Sequence, residues 1–260
     1  MTWSDETFTL TDEQSGVAHR VSVATPFRYD SLDSAPLILC LDGAWVAGTV
    51  RDATRIMSMG GEAPEAIVVG LSFSDESMTD YLRSRARWFC PTPWVPPEIV
   101  GVKGTVASEF GQAATYLDFI RDQVLPRIEA EYRVSHRALV GHSFSGLFGL
   151  RTLLTEPHLF DRYLLASPSI WWDGRAIFDF EDAYAAEHDD LAARVFLSVG
   201  EGEKEFGSEF NMAGNVVEMI ERLTGRGYAS LSVEHQTLPT ESHNSTIGAA
   251  VSRGLRSLFS

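Results

Sequence analysis

The stretch Arg137-Ala138-Leu139-Val140-Gly141-His142-Ser143-Phe144-Ser145-Gly146-Leu147 decides how the rest of the chain is read. An apolar run from Ala138 leads straight into Ser143, and a helical pattern from Gly146 to Leu154 follows at once. A buried strand, a sharp turn and a helix in such close succession lift the side chain at the turn above the sheet. The turn closes only around small residues two before and two after it, here Gly141 and Ser145, because a larger side chain would clash. Glycine is usual at the second place, so Ser145 is a departure, softened by Gly146 behind it. The helix N-terminus under Ser143 favours developing negative charge, and the Phe144 amide can donate to an oxyanion. The competing reading is a serine that caps a helix and does nothing else.

On either side of this turn, strand and helix signals alternate. Thr7 to Leu10 and Val17 to Ala24 alternate like strands, and Leu37 to Leu41 is an apolar run ending at the turn signal Asp42-Gly43. Arg51 to Met59 has helical spacing, and Ala66 to Phe73 reads as another buried strand. Pro91, Pro93, Pro96 and Pro97 predict irregular structure from Ser74 to Lys103. Gln112 to Tyr132 reads as one helix bent at Pro126. Tyr163 to Ala166, Val195 to Val199 and Leu231 to Thr237 read as strands, with helices at Asn211 to Leu223 and Ile247 to Phe259. Ile170 to Asp190, rich in Trp and then in acid, is placed to cap a site. The alternation predicts an α/β fold, a mostly parallel central sheet with helices on both faces. With no repeat or linker, the chain reads as one domain over residues 1–260 with excursions at about 74–110 and 170–192. Ligands in such a sheet sit beyond the carboxyl ends of the strands.

The charge balance narrows the partners. Of 260 residues, 36 are acidic and 21 basic, a formal charge of −15, which opposes binding to nucleic acid or an anionic membrane. With 44% hydrophobic residues the chain can fold around a core. Its apolar runs, such as Pro36 to Leu41, fall far short of the roughly 20 residues that span a bilayer. Met1 to Glu6 has neither the basic nor the apolar part of a signal peptide, so a cytoplasmic protein is expected. Cys40 and Cys90 then read as free thiols. Without CxxC, HxH or HExxH spacing, no metal or other cofactor is predicted.

In this architecture a nucleophile is followed along the chain by an acid and then a histidine. Glu203, three residues beyond the strand end Gly200, is the preferred acid, with Glu201 the fallback; both could equally be solvated loop residues. His243 lies in a polar loop between the last strand and the last helix, where a general base could reach Ser143. The other six histidines read as structural or surface residues. A second oxyanion donor is expected after the Leu37 to Leu41 strand, where Gly43 lets the backbone approach and the Ala44 amide would donate; the alternative is a plain Asp-Gly turn. Together these predict a hydrolase of small carboxylic esters that works through an acyl-enzyme. An acyltransferase or thioesterase using the same intermediate, and a binding protein that has kept the fold, are the alternatives.

With these residues placed, nearly the whole chain resembles the Putative esterase family of α/β-hydrolases, which contains enterochelin esterases and related siderophore hydrolases. The likeness rests on Leu41-Asp42-Gly43, on the helix from Tyr116 to Val134, on Gly141 to Phe148 and on Ser167-Pro168-Ser169-Ile170-Trp171-Trp172. Gly200-Glu201-Gly202-Glu203 and His243-Asn244-Ser245 complete it. The resemblance implies that Ser143 and His243 are nucleophile and base and that Ala44 and Phe144 supply the oxyanion amides. It implies less about the acid, since some members look like Ser-His dyads. Arg83 to Pro93 looks like the family's arginine-bearing segment, in which Trp88 and Cys90 replace polar residues and so count against a catechol siderophore. Asp42, Trp45, Arg85, Arg87, Trp171 and Trp172 are the candidates for lining the pocket, although Trp171 and Trp172 would serve a homodimer contact as well.

Overall fold

The computed structural model describes residues 5–75, 77–95, 106–205, 207 and 210–260. Its strands are β1 (Asp5–Thr11), β2 (Ala18–Ala24), β3 (Ala35–Leu41), β4 (Ile67–Phe73), β5 (Val134–His142), β6 (Arg162–Ala166), β7 (Ala193–Gly200) and β8 (Leu231–Leu238). They form one sheet in the order β1-β2-β4-β3-β5-β6-β7-β8. The β1–β2 and β2–β4 pairs are antiparallel and every later pair is parallel. This is the α/β-hydrolase architecture.

Alternation along the central strands divides the apolar side chains between two cores. Leu37, Leu39 and Leu41 face one side with Leu139 and Leu165, whereas Ile38 and Cys40 face the other with Val140 and Leu164. Helix α1 (Gly43–Met59) and helix α9 (Thr246–Phe259) cover the second side through Val46, Val50, Val251 and Leu255. Helix α5 (Phe144–Thr155) buries Leu147, Phe148 and Leu150 on the first. The chain thus leaves β3 toward one face and β5 toward the other. Adjacent strands with opposed exits open a crevice at their carboxyl ends.

Two expectations need correction. The segment after β4 is not irregular throughout: α2 (Met78–Phe89) occupies it, with Ser77 Oγ accepting the Asp80 amide at the N-cap. All four prolines lie beyond Cys90, so none interrupts the helix, and residues 96–105 lie outside the described set. Pro126 does not end its helix, but the helix is not α throughout and stops at Glu129 rather than Tyr132. Helix α3 (Ala113–Phe119) widens into a π-turn over Ile120–Val124 before α4 (Leu125–Glu129). The wider turn takes up the position where proline has no N–H to donate. The capping segment resolves into α6 (Trp172–Arg175) and α7 (Ile177–Glu187), and α8 (Met212–Gly225) follows β7.

One core residue makes stability depend on pH. His19 of β2 is 1% exposed, stacks on Phe119 at 4.6 Å, and its Nδ1 has no hydrogen-bond partner among the described residues. Burial pushes its pKa down to about 4, against a smaller opposing pull from Asp12. Because the folded pKa is depressed, the unfolded chain takes up the proton first, and stability is lost as pH falls from about 6.5 toward 4. His19→Phe should remove that loss. In urea titrations at pH 7.5 and pH 5, its stability relative to wild type should rise by about 2 kcal/mol at the lower pH.

Candidate active site

The turn after β5 has the geometry its sequence implies. Ser143 sits at φ 62° and ψ −116°, a strained conformation for a residue with a side chain, and α5 begins at the next residue. A Cβ on Gly141 would lie 2.3 Å from the Ser145 carbonyl oxygen, so only glycine fits there. The Phe144 N–H opens α5, where the first amides have no acceptor within the helix.

Ser145, read from sequence as a mild departure, has a partner of its own. Its hydroxyl donates to Asp42 Oδ2 at 2.7 Å and accepts the His142 amide at 2.8 Å. Asp42, at the end of β3, is 1% exposed and also takes a bidentate pair from Arg85 of α2 at 2.9 and 3.0 Å, and the Tyr81 hydroxyl at 3.0 Å. Arg85 Nη2 further donates to the His142 carbonyl at 3.1 Å. The ends of β3 and β5 and helix α2 are therefore joined by one buried charge network.

Glu203 and His243 meet in the segments that follow β7 and β8. Glu203, 2% exposed, accepts His243 Nδ1 on Oε2 at 2.8 Å. Its Oε1 accepts the Ser167 hydroxyl at 2.5 Å, the Gly200 amide at 2.7 Å and the Thr246 hydroxyl at 3.2 Å. Burial alone would raise this carboxyl's pKa, yet the hydrogen bonds from His243, Ser167 and Gly200 outweigh it and hold the group below its usual value. Glu201 instead faces solvent beside Lys204. His142 has a structural role: it donates Nε2–H to the His243 carbonyl at 2.7 Å and so ties the His243 loop to the turn. Burial first, then the neighbouring His243 and Arg85 charges, push the His142 pKa down to about 4, leaving the ring neutral at pH 7.

Ser143 and His243 share a cavity of about 480 Å³ whose walls include Asp42, Trp45, Arg85 and Asn244. A hydroxyl, an imidazole and a buried carboxylate in this order can relay a proton, and the α5 N-terminus is suited to a developing anion.

Not every candidate reaches this cavity. The Ala44 amide donates to Ser72 Oγ at 2.7 Å, and the two residues line a separate hollow on the other side of Trp45. Arg87 packs over Trp88 and borders a third depression with Asp75 and Glu109. Trp172 is core, 1% exposed, with its indole N–H on the Thr92 carbonyl. Trp171 packs between Phe144 and Phe210. Trp88 and Cys90 are buried as well, so their departure from polar residues says nothing about the cavity. Cys40 and Cys90 are free thiols. Among the described residues no three His, Cys, Asp or Glu side chains gather as metal ligands, and no helix is long and apolar enough to cross a membrane.

The sequence reading missed Ser167, Ser169, Thr246 and Ser72. The first two lie in the Ser-Pro-Ser motif, quoted without a role; Ser72 carried no signal at all.

The comparisons with known proteins make this α/β-hydrolase a carboxylic ester hydrolase. The model of the family described as "Putative esterase" matches residues 14–227, and the chain belongs to that family. It is 32% identical over 233 residues to the ferri-bacillibactin esterase BesA of Bacillus subtilis, covering 85% of this chain and 78% of that protein. It is 27% identical to the siderophore triacetylfusarinine C esterase of Aspergillus fumigatus, covering 98% and 93%. Among solved structures, the BES protein from Bacillus cereus superposes with a TM-score of 0.85 at 25% identity, covering 100% of this chain and 97% of that one. The siderophore hydrolase EstB from Aspergillus nidulans gives 0.83 at 26%, covering 98% and 95%.

Proposed function

We propose that this protein hydrolyses ester bonds of a siderophore or a similar small polyester through an acyl-enzyme on Ser143. The observation that carries the mechanism is the 2.8 Å contact between Glu203 Oε2 and His243 Nδ1 at the wall of the cavity that holds Ser143. That contact fixes the tautomer with the proton on Nδ1 and leaves Nε2 as the base. Ser143 Oγ passes its proton to Nε2 and attacks the carbonyl carbon, whose π pair moves onto oxygen. His243 then returns the proton to the leaving alcohol. In the second half His243 takes a proton from water, hydroxide attacks the acyl carbon, and Ser143 leaves with the proton restored. Glu203 stays ionised throughout and stabilises the imidazolium. The substrate class is supported by the names of two relatives and one structural neighbour. A panel of linear and cyclic siderophore esters against p-nitrophenyl esters and acyl-thioesters tests it. Siderophore esters should show the highest kcat/KM, and a preference for thioesters would overturn the assignment.

The Phe144 amide is the first oxyanion donor. The Ala44 amide is committed to Ser72 Oγ in a separate hollow and is left out of the mechanism. Ser72→Ala should therefore leave kcat for p-nitrophenyl acetate within about twofold of wild type. A loss or gain of about tenfold or more would return Ala44 to the mechanism.

A further inference from the structure

The Ser-Pro-Ser motif at residues 167–169 follows β6 and has no role in the mechanism above. Its two hydroxyls nevertheless point at the two ends of the proton relay. Ser169 Oγ lies 3.1 Å from Ser143 Oγ, and the Ser169 amide donates to the Ser143 carbonyl at 3.0 Å. Ser167 Oγ donates to Glu203 Oε1 at 2.5 Å, and the Ser167 amide donates to the Ser198 carbonyl of β7 at 2.7 Å. Both serines are essentially buried, at 1% and 0% exposed.

The backbone between them has little freedom. Ser167 is held at φ 44°, in the left-handed region, and Pro168 fixes the next φ. A Cβ on Gly146 would lie 3.1 Å from Pro168 Cα, so α5 packs directly on the turn. The backbone positions of the two serines are therefore coupled. A left-handed residue with a side chain, kept where glycine would be less strained, argues that the hydroxyl itself is needed.

We propose that this turn is part of the catalytic machinery: Ser169 is a catalytic residue that donates a hydrogen bond to the nucleophile, and Ser167 is a positioning residue that acts through Glu203. This rests on Ser143 being the nucleophile. When Ser143 Oγ–H points to His243 Nε2, the remaining lone pairs of Ser143 Oγ accept Ser169 Oγ–H. That bond fixes the rotamer and strengthens as the proton departs and charge builds on Ser143 Oγ. Ser169 keeps its own proton throughout. Ser167 supplies one of three donors to Glu203 Oε1, leaving Oε2 aimed at His243 Nδ1.

Single-turnover labelling by a fluorophosphonate and steady-state hydrolysis of p-nitrophenyl acetate test both roles. Ser169→Ala should slow labelling and kcat together by about 10- to 100-fold, the scale of a hydrogen bond to a charged group, with KM and melting temperature unchanged. Ser169→Thr, which keeps the hydroxyl, should recover much of the rate. Ser167→Gly suits the left-handed backbone and should stay folded while losing about 3- to 10-fold in kcat. In a Glu203→Gln background it should cost nothing further, because a residue that acts through Glu203 has nothing left to position. Wild-type labelling by Ser169→Ala, or losses that multiply in the Ser167/Glu203 cycle, would overturn the inference. If Ser143→Ala retained activity, the reading on which it rests would fail first, and separately.

Discussion

Ser143→Ala should lower kcat for p-nitrophenyl acetate by about 10⁶-fold, the scale seen when a serine hydrolase loses its nucleophile. Circular dichroism should be unchanged. The size of the effect follows from covalent catalysis: without the hydroxyl, water must attack the substrate directly, aided only by the amides around the turn. The backbone at residue 143 gives the experiment an internal control. Alanine keeps the strained φ of 62°, whereas glycine adopts it freely. Ser143→Gly should thus be equally inactive but about 1 kcal/mol more stable than Ser143→Ala in urea denaturation. That pattern separates loss of chemistry from loss of fold. Residual turnover above a thousandth of wild type would place the nucleophile elsewhere.

Arg85→Met should be the most damaging substitution for stability, costing about 3–5 kcal/mol and lowering Tm by roughly 10 °C or more. It leaves Asp42, 1% exposed, as a buried carboxylate with only the Tyr81 and Ser145 hydroxyls for neighbours. The pair itself need not be a net source of stability, since desolvating both ions offsets most of their attraction. Arg85→Met combined with Asp42→Asn should therefore recover much of the loss in thermal melts. A single Arg85→Met variant that melts like wild type would show that water or rearrangement solvates Asp42. The pair joins β3, α2 and the turn at Ser143, so the single variant should also lose activity before it unfolds globally.

What could be read from the sequence follows from how local each signal is. The turn at Ser143 is specified by neighbours within two residues, and Glu203 by its distance from the end of β7. Both are legible in one dimension. His243 is a candidate from chain order, because a nucleophile, acid and base in that sequence leave few alternatives. The alternating strands fixed the parallel sheet because burial on both faces makes each one a continuous apolar run. Contacts between distant segments were invisible. Ser145 looked like an imperfect glycine because its partner, Asp42, lies 103 residues away. The Ala44 amide looked available because Ser72, 28 residues on, gives no sign in sequence that it faces it. Arg85 and Arg87 alternate in one segment, so in one dimension both read as pocket residues. The helical form of α2 points them differently, one into the buried pair with Asp42 and the other out over Trp88.

A covalent ester on Ser143, formed with the help of His243, is the intermediate that the proposed mechanism requires. It is tested most directly by acid-quenching the enzyme within milliseconds of mixing it with an activated ester and mapping the adduct by peptide mass spectrometry. The expected result is one acyl group per chain on the peptide containing Ser143, formed in a burst in wild type and far more slowly in His243→Ala. Steady turnover with no adduct, or an adduct on any other residue, would contradict it.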